Sequence, residues 1–247
     1  MPNRSVPTQT PPSRGDSTSC PSRPIQGRDS ARVLDWILMA GCALPALVLM
    51  AAIAVGNGIV FREPRKIFFR QRRMGWRGES FTLIKFRTMR DELDASGERL
   101  PDADRVTRFG KFLRNTHLDE LPQLWNILCG EMSFIGPRPE MDSIHAWASE
   151  RIEGFDARLA VRPGITGLAQ TTQGYTGLDE EAYREKLRLD LISIQDRSLR
   201  FQTKVLIRTA VWMVRGKGWR WEEGAQSAQS AQSEAASSEA SSSRKAA

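Results

Sequence analysis

The sequence predicts a mostly helical α+β protein with one membrane helix near its amino terminus. Residues 36–61 contain no charged side chain, and the apolar part of this run is long enough to cross a hydrocarbon core as a helix. Residues 105–130 carry apolar side chains at helical spacing, and residues 179–195 form another strongly helical stretch. Residues 79–89, "ESFTLIKFRTM", are β-branched, aromatic and nearly alternating, which is typical of a short strand.

Both ends of the chain contain few large apolar side chains. Residues 1–30 are rich in Ser, Pro, Thr and Arg, and we predict a disordered arm because such a segment cannot bury enough surface to offset its ordering entropy. Residues 223–247 carry a short AQS repeat and a Ser/Ala-rich stretch, which predicts a low-complexity tail. Between them we expect a membrane helix, residues 31–61, and a folded domain, residues 62–222.

The apolar run has three interpretations. A secretory signal peptide is disfavoured because the polar stretch before the run is too long and Asp35 directly precedes it. A spanning helix is the default, but Pro45 tends to kink a helix, and both flanks are basic although Lys and Arg concentrate on the cytoplasmic side of a span. A broken, re-entrant helix that returns to the same face would satisfy both flanks. The residues alone leave the spanning and re-entrant forms open.

A pair of carboxylates lies between two predicted helices of residues 105–130. Pro122 fits the first turn of the second helix, where its missing N–H is not needed. This places Asp119 and Glu120, within "HLDELPQLWNIL", directly before a helix amino terminus. On a solvated helix an Asp-Glu pair is an ordinary surface feature, so the meaning of this pair depends on its neighbours.

A basic amphipathic segment, "FQTKVLIRTAVWMVRGKGWRW", occupies residues 201–221 and has tryptophans near its end. Such a segment suits the surface of an anionic membrane, where it would lie as an interfacial helix. Packing against the protein core is the alternative interpretation.

The charge balance favours anionic partners. The net charge is +7 and the pI is about 9.8. The basic residues cluster beside the apolar run and form no recognised nucleic-acid motif, so we do not expect nucleic acid as a partner. With 2 histidines there is little material for a His-based triad or multi-His metal centre. Catalysis, if the protein is an enzyme, would therefore depend on carboxylates, arginines and a hard cation.

A stiff loop carries a candidate phosphate-binding arginine. Arg138 stands between two prolines in "SFIGPRPE", residues 133–140, and such a constrained guanidinium loses little entropy when it binds a phosphate. Taken alone, this motif is better explained as a surface turn. It is accompanied, however, by Arg114, five residues before Asp119, and by the turn "RPGITGLAQ" at residues 162–170.

Taken in order, the motifs "KFRTM", "LDELPQLWN", "MSFIGPRP" and "RPGITGLAQ" resemble those of the bacterial sugar transferase family, the small monotopic phosphoglycosyl transferases. The resemblance covers residues 30–218. It implies a re-entrant helix broken near Pro45 and a catalytic domain on the cytoplasmic face of the bacterial inner membrane. His117 stands where the family commonly has Ser, and "RVLD" at residues 32–35 is a thin version of the family's basic-aromatic-acidic motif.

The resemblance also implies a reaction. Such enzymes transfer a sugar-1-phosphate from a UDP-sugar to polyprenyl (undecaprenyl) phosphate, which primes the synthesis of a surface glycan such as exopolysaccharide. Asp119 resembles the nucleophile that attacks the β-phosphate and releases UMP; Glu120 resembles its dyad partner, and one or both carboxylates would hold Mg²⁺. The arginines expected at the substrate are Arg114 and Arg138 at the phosphates and, as secondary contacts, Arg87 and Arg162.

Two other functions are compatible with the same residues. A Mg²⁺-dependent diphosphate hydrolase would use the carboxylates with water as the acceptor. A non-catalytic membrane-surface adaptor would use the basic segments to bind acidic lipids, and it would tolerate the loss of Asp119. The expected partners of the preferred reading are a UDP-sugar, polyprenyl phosphate and membrane lipids.

Overall fold

A computed structural model describes residues 30–91, 100–174 and 177–214. The predicted arm before Ser30, the predicted tail and residues 215–222 lie outside the described residues. The described chain is mostly helical and contains two small two-stranded sheets, so the predicted α+β class is confirmed. Its helices are α1 Ser30–Phe61, α2 Asp102–Arg105, α3 Arg108–Asn115, α4 Gln123–Leu128, α5 Asp142–Arg151, α6 Leu168–Gln173, α7 Glu180–Gln195 and α8 Leu199–Val214. Its strands are β1 Phe68–Met74, β2 Ser80–Phe86, β3 Ser133–Ile135 and β4 Gly164–Thr166.

Helix α1 is the apolar helix that the sequence predicts. It has 32 residues with Pro45 inside it, and at about 1.5 Å per residue it is roughly 48 Å long. Among the described residues it is the one helix long and apolar enough to cross a membrane, and side chains such as Leu44 and Val48 are mostly exposed. The choice between a spanning and a re-entrant helix stays a prediction.

Buried polar side chains attach α1 to the rest of the protein near both of its ends. The Asp35 carboxylate accepts hydrogen bonds from the Ser133 hydroxyl and the Phe134 N–H, each at 2.9 Å. Asn57 donates its side-chain N–H groups to the carbonyls of Ile67 at 2.9 Å and Arg87 at 3.0 Å. Because buried polar groups are costly to leave unpaired, these contacts fix the position of α1 against the domain.

Strands β1 and β2 form an antiparallel hairpin whose register runs from Phe68 opposite Phe86 to Met74 opposite Ser80. The predicted strand in residues 79–89 is confirmed as β2. Strand β1 was not predicted, because "FFRQRRM" looks like a continuation of the basic flank of the membrane helix. In the fold its alternate side chains Phe69, Gln71 and Arg73 line a cavity.

The predicted pair of helices in residues 105–130 is confirmed as α3 and α4. A single 3₁₀ turn, Leu118–Glu120, lies between them, and Pro122 directly precedes α4. Asn126 attaches α4 to β2, since its side chain donates to the Thr82 carbonyl at 2.8 Å and accepts from the Ile84 N–H at 3.3 Å. The carboxylate turn is thereby held beside β2.

The second half of the domain surrounds a short parallel pairing of β3 with β4. The residue after β3 and the first residue of β4 touch through glycine, because a Cβ atom added to Gly164 would lie 2.1 Å from the Gly136 nitrogen. The predicted helix in residues 179–195 is confirmed as α7, and the Asp179 side chain caps it by accepting from the Ala182 N–H at 2.7 Å.

Helix α8 contains the described part of the predicted amphipathic segment. One face packs inward, with Val205 buried, and the other exposes apolar side chains such as Ile207 and Val211. The alternative interpretation, packing against the core, therefore holds for one face of the helix. Its contact with a membrane surface stays a prediction.

Candidate active site

A polar cavity of about 340 Å³ lies between the β1–β2 hairpin, α3 and the carboxylate turn. Seven basic side chains and two carboxylates contribute to its wall. An excess of positive charge in a concave site attracts anions and strengthens their binding. The charged wall residues are Arg73, Lys85, Arg87, Arg90, Arg105, Arg114, Asp119, Glu120 and Arg138.

Asp119 and Glu120 are both buried, each with 8% of its surface exposed. They reach this position because His117, two residues after α3 and directly before the 3₁₀ turn, adopts a left-handed backbone conformation with φ of 57°. Such a conformation is uncommon for a residue with a side chain and reverses the chain direction sharply. The following turn then points its carboxylates towards β2.

Two cations fix the Glu120 carboxylate. Its Oε1 atom accepts from the Lys85 Nζ atom at 2.8 Å and from the Arg138 Nη2 atom at 2.9 Å. Burial by itself would raise the pKa of Glu120, but Arg138 and Lys85 outweigh it and hold this pKa below its usual range. Glu120 is therefore ionised and held in one orientation.

The Asp119 carboxylate is in a different situation. Among the described residues, no hydrogen bond or ion pair holds it. Burial raises the pKa of Asp119 to about 6, opposed by Lys85 and reinforced by the neighbouring charge of Glu120. A buried carboxylate that nothing holds is a suitable nucleophile or ligand, since no existing bond must break before it reacts.

Arg138 is supported by the loop that carries it. The Arg158 Nη2 atom donates to the Arg138 carbonyl at 2.8 Å, and the Arg73 Nη1 atom donates to the Pro139 carbonyl at 3.0 Å. The Pro137 carbonyl accepts from the Gly164 N–H at 2.9 Å. With two prolines in the same loop, the backbone of Arg138 has little freedom, as the sequence predicts.

Arg114 reaches the cavity because α3 lies unusually close to the end of β2. A Cβ atom on Gly110 would lie only 2.1 Å from the Thr88 carbonyl oxygen, so a glycine is needed at this contact. One turn further on, the Arg114 Nε atom donates to the Thr88 hydroxyl at 2.8 Å. This bond orients the guanidinium towards the cavity.

The cavity brings together all the predicted site residues except Arg162. Arg87 lines its wall and bonds to Asp91 at 3.2 Å. Arg162 lies elsewhere: its Nε atom donates to the Gly130 carbonyl at 2.8 Å, and its guanidinium lies 4.6 Å from the Trp76 ring centroid. The substrate contact expected of Arg162 stays a prediction. In the fold this side chain contacts Gly130 and Trp76.

Sequence reasoning missed Lys85. This residue belongs to the "KFRTM" motif and stands two positions before Arg87, so the alternation along a strand could have placed both on the same face. Its bond to Glu120 makes it part of the carboxylate site.

Sequence reasoning also missed a buried ionic network behind Arg138. The Arg158 guanidinium donates to the Asp190 carboxylate at 2.8 and 3.1 Å and lies 3.6 Å from the Glu140 carboxylate, which Lys186 also contacts. Arg158 and Asp190 are 3% and 1% exposed, so the pair is desolvated. No local pattern in the sequence connects residues so far apart along the chain.

Within the described part of the chain, no group of three or more His, Cys, Asp and Glu side chains is arranged to hold a metal ion. Asp119 and Glu120 supply two carboxylates only. Mg²⁺ commonly binds one or two protein carboxylates and takes its other ligands from substrate phosphates and water. The donor set therefore fits a magnesium ion that arrives together with a phosphorylated substrate.

Comparisons with known proteins point to the same family as the sequence motifs. The sequence profile of the bacterial sugar transferase family matches residues 28–216. A UDP-glucose:undecaprenyl-phosphate glucose-1-phosphate transferase of Xanthomonas campestris pv. campestris is 40% identical over 188 residues, which are 73% of this chain and 38% of the relative. An enzyme with the same name from Caulobacter vibrioides is 40% identical over 183 residues, covering 72% of this chain and 67% of the relative.

A third relative has a different sugar in its name. The UDP-N-acetylgalactosamine-undecaprenyl-phosphate N-acetylgalactosaminephosphotransferase of Aeromonas hydrophila is 37% identical over 187 residues, which are 74% of this chain and 44% of the relative. The chain thus spans between 38% and 67% of the length of these three relatives. The family profile matches well over half of the sequence, and three of the four motifs contribute residues to one cavity, so the chain belongs to the bacterial sugar transferase family.

Proposed function

We propose that this protein transfers a sugar-1-phosphate from a UDP-sugar to polyprenyl (undecaprenyl) phosphate through a covalent phosphosugar intermediate on Asp119. The observation that carries the proposal is the unequal pair of buried carboxylates in an arginine-rich cavity: Glu120 is fixed by two cations, whereas Asp119 is held by none of the described residues. The names of the three relatives, which include two different sugars, support the same general reaction.

In the first half-reaction, a carboxylate oxygen of Asp119 attacks the β-phosphorus of the UDP-sugar. A bond forms between this oxygen and the β-phosphorus, and the bond from the β-phosphorus to the bridging oxygen breaks. UMP leaves with the bridging oxygen and its electron pair. The product is an acyl phosphate that carries the sugar on Asp119.

In the second half-reaction, a phosphate oxygen of the polyprenyl phosphate attacks the same phosphorus. The bond between Asp119 and the phosphorus breaks, and the carboxylate is regenerated. The product is a polyprenyl diphosphate sugar, the starting lipid for a surface glycan. No proton transfer is needed in either step, because both nucleophiles are anions.

The charges of the cavity make an attack of one anion on another feasible. Two unit charges about 4 Å apart repel by about 4 kcal/mol at an effective dielectric constant of about 20. Arg114 and Arg138 face the dyad and lower the pKa of Asp119, so their charge also opposes this repulsion. Positive groups that are fixed in advance stabilise the transition state without reorganisation.

Mg²⁺ is the cofactor that fits these residues. Asp119 and Glu120 would hold it together with the diphosphate of the substrate, and when bound it would neutralise phosphate charge. Lys85 and Arg138 orient Glu120 and contribute positive charge to the cavity wall whichever metal ion is bound.

The membrane arrangement forms part of the proposal. We propose that residues 31–61 enter the membrane as a re-entrant helix with its turn near Pro45, and that residues 62–222 form the catalytic domain on the cytoplasmic face of the bacterial inner membrane. The basic flanks of α1 and its exposed apolar side chains support this arrangement. Labelling of single cysteines at the two ends of α1 in inverted vesicles tests it: both must react from the same side.

UMP release by the protein in nanodiscs, with Mg²⁺ and a panel of UDP-sugars, tests the reaction. Release that requires undecaprenyl phosphate for multiple turnovers supports the transferase. Equal multiple-turnover release without the lipid would indicate the diphosphate hydrolase, and no release with any donor would favour the membrane-surface adaptor. Asp119→Asn is the matched variant, since it removes the charge and keeps the shape, and it must abolish release.

A further inference from the structure

The polar cavity that Asp119 lines, the first cavity, adjoins a second cavity at the carboxylate site. The second cavity has a volume of about 450 Å³, and four residues contribute to the walls of both: Arg73, His117, Glu120 and Arg138. A sugar whose phosphate lies at the dyad can therefore extend into either space. Which of the two suits a sugar depends on the chemical groups in their walls.

The two walls offer different hydrogen-bonding groups. The first cavity is dominated by its seven basic side chains, which suit phosphates, and its neutral amide and hydroxyl side chains are Gln71 and Thr88. The second cavity has a neutral polar part formed by α6, α7 and the adjoining parts of β4 and α8. Its side chains are Thr166, Gln170, Thr171, Gln173, Tyr183 and Thr209. An uncharged ligand rich in hydroxyl groups matches this part better than it matches a row of cations.

Tyr183, on α7, is the most deeply buried member of this polar part. It is 3% exposed, and its ring packs edge-on against Trp147 at 5.3 Å and against Phe155 at 6.0 Å between centroids. Among the described residues, none forms a hydrogen bond with its hydroxyl. A buried hydroxyl without a partner is costly, so this group is available to a ligand in the cavity that it lines.

The surroundings of Tyr183 keep it in place as a hydrogen-bond donor. Burial, reinforced by the charge of Glu140, raises the pKa of Tyr183, so the hydroxyl stays protonated. The Lys186 ammonium, which is paired with Glu140, lies 4.8 Å from the centroid of the Tyr183 ring. The ring is thus fixed by packing before any ligand arrives.

A second side chain of the same wall has unused hydrogen-bonding capacity. The Gln173 Nε2 atom donates to the Ala182 carbonyl at 3.0 Å and so joins α6 to the residue before Tyr183. The Gln173 Oε1 atom is buried and has no partner among the described residues. The wall between α6 and α7 therefore carries both a donor and an acceptor that the protein itself does not use.

We propose that the Tyr183 hydroxyl donates a hydrogen bond to a hydroxyl group of the donor sugar, and that Tyr183 thereby helps to determine which UDP-sugar the protein uses. This inference rests on the proposed function and adds a specificity-determining residue to it. A site with a fixed partner for one substrate hydroxyl discriminates against a sugar that lacks this group.

Tyr183→Phe tests the assignment, because it removes the hydroxyl and keeps the ring. The measurement is the second-order rate constant of the UMP burst without acceptor, with the preferred UDP-sugar and with each of its monodeoxy analogues. We expect the wild type to lose about 3- to 10-fold with one analogue. Tyr183→Phe should show the same loss with the complete sugar and no further loss with that analogue.

Ser193→Ala is the matched control on the same helix. The Ser193 hydroxyl donates to the Leu189 carbonyl at 3.2 Å and lines neither cavity, so its removal should leave every rate constant at the wild-type value. Inhibition by UMP should also be unchanged in Tyr183→Phe, because the nucleotide binds among the cations of the first cavity.

Three results would overturn the inference. The first is a set of wild-type rate constants in Tyr183→Phe with every donor. The second is an equal loss in this variant with the complete sugar and with all analogues, which would indicate a general effect on packing. The third is a raised KM for undecaprenyl phosphate with unchanged donor kinetics, which would place the acceptor beside Tyr183 instead of the sugar.

The analogue series on the wild type tests the inference even if the variant fails to fold, since equal rate constants for all analogues and the complete sugar would overturn it. If the wild type releases no UMP with any donor, the proposed function fails first. This outcome is distinct, because it appears before any variant or analogue is made.

Discussion

Replacing Lys85 by Met should shift the pH dependence of the reaction towards higher pH. Lys85 lies 2.8 Å from Glu120, a distance at which two unit charges attract by about 6 kcal/mol at an effective dielectric constant of about 20. It also opposes the effect of burial on Asp119 more than any other charged neighbour does. Because the side chains of Lys85 and Glu120 are only 16% and 9% exposed, solvent screens this charge weakly.

The magnitude follows from the pKa of Asp119. In the wild type this pKa is about 6, and the ionised form is the nucleophile, so the rate of UMP release should fall as the pH drops through that value. Loss of a nearby opposite charge raises a carboxyl pKa by about 1 to 3 units. Each unit lowers the ionised fraction on the acid side about tenfold, equivalent to about 1.36 kcal/mol.

The assay is the pH profile of kcat/KM for UMP release, which reports the ionisation of the free enzyme. The diphosphate of the donor does not titrate in this range, so the acid limb belongs to the protein. Lys111→Met is the control. Lys111 is exposed on α3 and does not line the cavity, so this substitution removes the same charge at a site away from the dyad. An acid limb at the same pH in Lys85→Met and the wild type would refute the electrostatic account of the dyad.

Three further predictions concern the scaffold of the site. Gly110→Ala should lower the free energy of unfolding by about 1–3 kcal/mol, because its Cβ atom would lie 2.1 Å from the Thr88 carbonyl oxygen. The control Gly58→Ala has no atom within 4 Å of its Cβ, and equal denaturation midpoints for the two variants would contradict the close contact. Asn126→Leu leaves the Thr82 carbonyl and the Ile84 N–H without this side chain, and it should destabilise the protein by about 1–3 kcal/mol for each partner left unpaired. Chemical denaturation measures the change, and an unchanged midpoint would count against the role of Asn126 between α4 and β2. Arg158→Lys keeps the charge but not the geometry that joins Arg138 to α7, so kcat for UMP release should fall about tenfold. A purely structural role for this residue would instead lower the yield of folded enzyme and leave kcat per active site unchanged.

Much of the site could be predicted from the sequence because its parts follow local rules. Pro122 marks a helix start and the apolar spacing around it indicates helices on both sides, so the position of Asp119 and Glu120 before α4 was predicted correctly. The prolines around Arg138 likewise predicted a constrained loop, which the hydrogen bonds of its backbone confirm.

The parts that the sequence did not predict depend on contacts between distant residues. Arg158 and Asp190 meet only after α7 has packed on the loop of Arg138, and nothing local distinguishes them from solvated charges. Strand β1 was not predicted because its side chains face a polar cavity on one side and solvent on the other, so the sequence shows no apolar alternation. Arg162 stands in a predicted motif, but the direction of its side chain, towards Trp76 and Gly130, is a property of the folded turn.

The central claim is that Asp119 carries the phosphosugar between the two half-reactions. The most direct measurement is mass spectrometry of the protein after incubation with Mg²⁺ and a UDP-sugar in the absence of acceptor, followed by acid quench and peptide mapping. We expect a mass increase of one phosphosugar on the peptide that contains Asp119, its absence in Asp119→Asn, and its disappearance when undecaprenyl phosphate is added. Transfer to the lipid at the wild-type rate by Asp119→Asn, or an adduct on another residue, would contradict the account.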